Sequence, residues 1–266
     1  MRQVVLGKTG LRVSRLGLGT DVRNDDGTVS LEQEIEVMLR AWELGINLID
    51  TDRWYNTYPS LAAALPHMER PRLVLVTKTY EKSFEGALND VRHALDTLKT
   101  DYIDLFLIHA VDSLEDYAAR ASALEALQEA QVRGWIRHIG LSSHAVAVVR
   151  AMAGHPEIEA VLAALNMAGK SMHHTGTREE MEGAIKRCYE AGQGVYIMKP
   201  FARGRLFEDA NKDRPLSPDQ ARQGLAYLYA LPYIHSIIPG MRTVEQVEQN
   251  VAIAEDMERK ESQLSR

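Results

Sequence analysis

Short apolar runs alternate with segments of helical period along nearly the whole chain. The runs are Arg15–Gly19, Asn47–Asp50, Leu73–Lys78, Ile103–His109, Ile136–Ser142, Ala160–Asn166, Gly194–Lys199 and Ser236–Pro239. Several are continuously apolar, as strands buried on both faces of a parallel sheet should be. The clearest helical pattern follows Ser83, a fitting N-cap, and places Phe84, Leu88, Val91, Leu95 and Leu98 on one face. Others begin near Leu31, Pro59, Ser113, Ser143, Thr177, Ser217 and Thr243. Eight strands, each followed by a helix, predict the α/β class and a (β/α)8 TIM barrel. An open doubly wound sheet normally uses fewer strands and a glycine fingerprint after the first, and Gly17-Leu18-Gly19-Thr20-Asp21-Val22 lacks its third glycine. Ahead of the first run, Gln3–Leu6 and Leu11–Val13 flank Gly7-Lys8-Thr9-Gly10 and predict an N-terminal β-hairpin closing the barrel floor. Gly7-Lys8-Thr9 is not a P-loop, because no glycine stands five residues before Gly7.

A length of 266 residues with 45% hydrophobic residues suits one barrel, and no segment reads as a linker, so residues 1–266 are expected to form a single domain. The 31 basic and 37 acidic residues are spread along the chain without a basic stripe, which argues against a nucleic-acid partner. No run reaches the ~18 apolar residues of a membrane span, and the first residues lack the apolar core of a secretory signal. One cysteine, Cys188, allows no internal disulfide, so a reducing, cytoplasmic setting is expected. His173, His174 and Cys188 are too far apart in sequence, with no further ligand, to predict a metal site; loop histidines are the simpler reading. Oligomeric state is not legible.

Polar residues at the C-terminal ends of barrel strands face the mouth, where barrel chemistry occurs. Three successive runs end in ionisable residues, Asp50, Lys78 and His109, and Tyr55 follows five residues after Asp50. Each alone reads equally as a solvated or hydrogen-bonded strand end. Together they suit proton transfer. A neighbouring ammonium favours phenolate, so Lys78 is expected to lower the pKa of Tyr55, and Asp50 would hold the charge on a buried Lys78. His109 can donate to a substrate oxygen or relay a proton, depending on its protonation. Such a set can protonate an alkoxide as it forms, and needs a hydride donor.

These residues sit in a sequence that resembles the aldo-keto reductase family from end to end. Leu6-Gly7-Lys8-Thr9-Gly10-Leu11-Arg12-Val13-Ser14 followed by Leu16-Gly17-Leu18-Gly19-Thr20 is similar to the family's hairpin and first strand. Asp50-Thr51 with Tyr55 resembles its D-T-A-x-x-Y motif, with Asp52 in place of the small residue. Thr77-Lys78, Asp101-Tyr102-Ile103-Asp104, Leu107-Ile108-His109, Gly134 to Ser142 and Ile238-Pro239-Gly240 follow in family order. The resemblance implies reduction of an aldehyde or ketone by hydride from nicotinamide C4, with Tyr55 as general acid, Lys78 and Asp50 tuning it, and His109 orienting the carbonyl.

It also implies a cofactor site for NADPH, with NADH possible. Thr20, Asp50, Ser142, Ser143, Asn166 and Met198 fall near the nicotinamide, with Met198 readable either as a stacking residue or as core. Lys199, Phe201, Arg203, Gly204 and Arg205 resemble the pyrophosphate-covering loop, though a solvated basic loop reads as well. Gly240, Met241, Arg242, Thr243, Gln246, Gln249 and Asn250 fall at the adenosine end. Gln246 stands where many members carry an Arg for the 2′-phosphate, a role Arg242 and Thr243 can take. For the small-molecule carbonyl substrate the rim is expected to include Asp21, Trp54 and Ala110, with Arg53 either a cation for acidic substrates or a partner of Asp52. A wide site for varied carbonyls is expected. Two other classes stay open: an NADPH-binding regulatory subunit with little turnover, and a barrel isomerase or aldolase working without nicotinamide.

Overall fold

The computed structural model describes residues 1–22, 29–172, 176–207 and 216–264. Gln3–Val5 (β1) and Arg12–Ser14 (β2) pair antiparallel around a 3-10 turn at Gly7–Thr9. Eight parallel strands follow in sequence order: Leu18–Gly19 (β3), Leu48–Asp50 (β4), Val74–Thr79 (β5), Ile103–Ile108 (β6), Ile136–Ser143 (β7), Ala160–Ala164 (β8), Gly194–Met198 (β9) and Ser236–Ile238 (β10). The ends of this sheet meet. Ile237 N–H donates to the Arg15 carbonyl at 2.9 Å, Gly17 N–H to the Ile237 carbonyl at 2.8 Å, and Gly19 N–H to the Pro239 carbonyl at 3.0 Å, closing the barrel as expected.

The helices are Leu31–Glu43 (α1), Tyr58–Ala64 (α2), Phe84–Leu98 (α3), Leu114–Ala118 (α4), Ala121–Val132 (α5), Val146–Met152 (α6), Arg178–Glu190 (α7), Pro218–Tyr229 (α8) and Val244–Leu264 (α9). Their starts obey local chemistry: the side chains of Ser30, Ser83, Ser113, Thr177 and Ser217 each accept a backbone N–H of the first turn. Two helical readings shift. The segment near Ser113 forms two helices, because buried Arg120 turns inward at the break to donate to the His109 carbonyl at 2.8 Å and to Asp116 at 2.7 Å. Ser143 ends β7, with its hydroxyl accepting Ala145 N–H at 2.9 Å, and α6 starts only at Val146.

Alternation along each strand separates two cores. Leu75, Phe106, Ile139, Val161 and Ile197 face outward into the layer between sheet and helices. Leu48, Val74, Val76, Leu105, Leu107, Leu162, Tyr196 and Ile238 fill the barrel interior together with Leu6 and Val13 of the hairpin. The hairpin therefore plugs the floor. Gly7 makes this possible: its φ is +51°, and a Cβ there would lie 2.4 Å from the backbone of Gln193 and Gly194. Among the described residues no helix is long and apolar enough to cross a membrane.

Candidate active site

Period-two alternation decides which strand-end residues enter the mouth. Leu48 points inward, so Asp50 does too; Val74 and Val76 carry the same face to Lys78, and Leu105 and Leu107 carry it to His109. All three side chains are buried, at 3%, 1% and 5% exposure, so their polar atoms must find partners inside. Lys78 Nζ donates to Asp50 Oδ1 at 2.5 Å and to the Thr51 carbonyl at 2.7 Å. The other Asp50 oxygen accepts from Tyr196, whose hydroxyl rises from the barrel interior to 3.2 Å. Burial pushes the Asp50 carboxyl up, and the Lys78 ammonium and the Tyr196 hydroxyl offset only part of that rise.

Tyr55 comes from the loop after β4. Asp52 caps a 3-10 turn at Arg53–Tyr55, its Oδ1 accepting Trp54 N–H at 2.7 Å, and Asn56 leaves the turn with φ +59°. This swings the phenol over the mouth, where its ring centroid lies 5.0 Å from Lys78 Nζ and its oxygen 3.4 Å from His109 Nε2. The other imidazole nitrogen, Nδ1, lies 2.7 Å from Asp52 Oδ2. Tyr80, just beyond β5, lies against the same imidazole at a centroid distance of 4.2 Å. The four residues expected to act together do converge.

Their titration differs from expectation in one respect. The phenol of Tyr55 is pushed up, not down: burial dominates, and Asp50, Asp21 and Asp52 add to it. Asp50 lies against Lys78, so the pair brings a carboxylate as well as an ammonium close to the phenol. Burial also pushes the His109 imidazole down to about 4, against the Asp52 contact that raises it and with Lys78 lowering it further. At neutral pH Tyr55 keeps its proton and His109 is uncharged.

The expected cofactor residues lie at or after the C-terminal ends of β3, β4, β7, β8, β9 and β10, in several settings. Ser142 is buried, and its oxygen accepts Ala110 N–H at 2.8 Å. Ser143 is engaged locally, donating to the Val111 carbonyl at 2.6 Å. Asn166 is fully buried and bonded to backbone, its amide donating to the Lys170 and Lys199 carbonyls at 2.8 and 3.2 Å. Met198 continues the inward face of β9 above Tyr196. Thr20 is buried against Thr57, with their hydroxyls 2.9 Å apart. After β9 the chain takes positive φ at Lys199, Ala202, Arg203 and Gly204, with Arg203 and Arg205 exposed and Phe201 packed beside Gly224 of α8. At the start of α9, Thr243 accepts Gln246 N–H at 3.3 Å and the Gln246 side chain accepts Arg242 N–H at 2.7 Å, so Gln246 serves as a helix cap. Met241 and Asn250 are buried, Gln249 is half-buried, and Gly240 bridges Gly19 across the barrel seam.

At the rim, Trp54 is 54% exposed. Asp21 is engaged by the loop after β9, with Lys199 Nζ at 2.8 Å and Arg203 at 3.8 Å. Ala110 sits at φ +50° in the loop after β6. Arg53 pairs with Asp90 of α3, not with Asp52. Four contributors were not assigned from sequence: Asp52, Tyr80, Tyr196 and Asp90. Only Tyr196 carried a usable signal, its inward parity with Met198. His173 and His174 lie outside the described residues, and Cys188 is buried, its thiol donating to the Val149 carbonyl at 3.3 Å.

The family model described as "Aldo/keto reductase family" matches residues 15–226. L-galactose dehydrogenase of Arabidopsis thaliana is 26% identical, over 95% of this chain and 88% of its own length. An NADH-specific methylglyoxal reductase of Escherichia coli is 25% identical, over 80% of this chain and 71% of its own. The holo form of an aldo-keto reductase from Bacillus halodurans superposes with a TM-score of 0.77 at 24% identity, covering 96% of this chain and 91% of that one, which supports the fold.

Proposed function

The chain belongs to the aldo/keto reductase family, oxidoreductases of carbonyl and alcohol groups that use nicotinamide cofactors, and from that premise we propose that it is an NADPH-dependent aldehyde or ketone reductase with Tyr55 as general acid. The observation that carries this reading is the convergence of Tyr55, Lys78, Asp50 and His109 at one mouth. A phenol held protonated by burial is loaded as a proton donor. As that proton leaves, the charge forming on the phenolate is stabilised by the nearby Lys78 ammonium, which needs no reorganisation because Asp50 and the Thr51 carbonyl already fix it.

The chemistry of the donor set fits a dinucleotide. Ser142, whose oxygen accepts Ala110 N–H, has a hydroxyl proton to offer a carboxamide. Lys199, Arg203 and Arg205, with the left-handed backbone around them, suit pyrophosphate oxygens, and Arg242 with the start of α9 suits a 2′-phosphate. A bound reduced nicotinamide supplies the hydride. Asn166 and Ser143 act in this reading by shaping the pocket wall. Residues 1–266 act as one domain, in the cytoplasm, on small carbonyl compounds held near Trp54, Asp21 and Ala110, without a nucleic-acid or membrane partner.

The test is a panel of aldehydes and ketones assayed with NADPH and with NADH. Oxidation of NADPH at several carbonyls, with kcat/KM above that for NADH, is expected. Preference for NADH, as in the name of the Escherichia coli relative, would overturn the cofactor choice, and absence of turnover with both would overturn the reductase reading.

A further inference from the structure

Asp52 is wholly shut from solvent, yet it takes no part in holding Lys78. Among the described residues each of its oxygens has one partner: Oδ1 accepts Trp54 N–H, fixing the turn that carries Tyr55, and Oδ2 faces His109 Nδ1. We propose that Asp52 is a positioning residue that locks His109 with its proton on Nδ1, so that Nε2 turns a lone pair, and not an N–H, toward the Tyr55 hydroxyl. The proposal rests on the reductase reading of this site.

A carboxylate can only accept, and a neutral imidazole has one proton, so a 2.7 Å contact at Nδ1 leaves Nε2 bare. The ring has little freedom to choose otherwise. Its backbone is clamped by His109 N–H donating to the Thr79 carbonyl and by Arg120 donating to the His109 carbonyl, both at 2.8 Å, and Tyr80 covers one face. The charged and titratable groups acting on the imidazole are Asp52 from the loop after β4, Lys78 of β5, Lys199 after β9, and the phenols of Tyr55 and Tyr80. Burial with two lysines nearby disfavours a second proton on the ring, in keeping with a pKa near 4. The 3.4 Å contact is therefore read as Tyr55 O–H donating to Nε2. This assigns His109 to the acid rather than to the carbonyl, which departs from the orienting role implied by the resemblance. When Tyr55 gives its proton to the substrate oxygen, the phenolic O–H bond breaks and the alcohol O–H forms. The phenolate is then reprotonated by a proton taken from water, which the imidazole can relay only after binding it on Nε2.

The test is 15N NMR of histidine-labelled full-length protein at neutral pH, with His109 assigned through His109→Gln. A protonated Nδ1 and a bare Nε2 are expected. In Asp52→Asn the amide oxygen still caps Trp54 while the NH2 faces Nδ1, so the ring should invert to Nε2–H. Its kcat should fall about tenfold or more, with carbonyl KM and cofactor affinity within about a factor of two. Asp52→Ser keeps the cap but cannot reach the ring, and should give mixed protonation. Wild-type His109 protonated on Nε2, or Asp52→Asn with unchanged protonation and unchanged kcat, overturns the proposal. Because the wild-type spectrum needs no turnover, it decides the assignment even where a variant does not fold or the reductase reading fails.

Discussion

Lys78 Nζ lies 2.5 Å from Asp50 Oδ1, and neither side chain is more than 4% exposed. Removing one partner strands a buried charge. Asp50→Asn should therefore cost about 3–5 kcal/mol in urea unfolding, whereas Asp50→Asn with Lys78→Met should recover much of that loss. Additive losses in the double variant would show that the pair is not energetically coupled.

His109 links stability to pH. Its imidazole titrates near 4 in the fold against 6.5 as its ordinary value, so between those values the unfolded chain binds the extra proton and the folded chain does not. The contribution is complete above pH 6.5 and is lost as pH falls toward 4, a change of about 3 kcal/mol. Comparison with His109→Gln isolates it, since the other groups are common to both proteins. The stability gap between the two should close by that amount on acidification, and a constant gap would contradict the assigned shift.

The barrel floor makes a separate prediction, independent of the chemistry. Gly7 is at φ +51° with backbone 2.4 Å from where a Cβ would stand, whereas Gly10, at φ +71°, faces open space. Gly7→Ala should lose about 3 kcal/mol or more, and Gly10→Ala only about 1–2 kcal/mol, by thermal unfolding. Equal losses would mean that the hairpin does not pack on Gln193 and Gly194 as described.

Barrel and mouth were legible because ionisable residues ended apolar runs whose parity is fixed by the strand period, so Leu48 predicts where Asp50 points and Leu107 where His109 points. What stayed hidden depends on distant partners. Asp52 finds His109 across 57 residues, and Arg53 finds Asp90 on a helix 37 residues away. Arg120 breaks a helix in order to reach a carbonyl at the mouth. The direction of the Tyr55 shift is hidden for a related reason: a single ammonium is visible in sequence, but burial and three surrounding carboxylates are not.

In the reaction proposed for this mouth, Tyr55 supplies the proton. Tyr55→Phe removes only the hydroxyl, and the measurement is its kcat/KM for an aldehyde beside its NADPH affinity by fluorescence quenching. A loss of turnover of about a hundredfold or more is expected, with cofactor affinity nearly unchanged. Turnover within a few fold of wild type would contradict it.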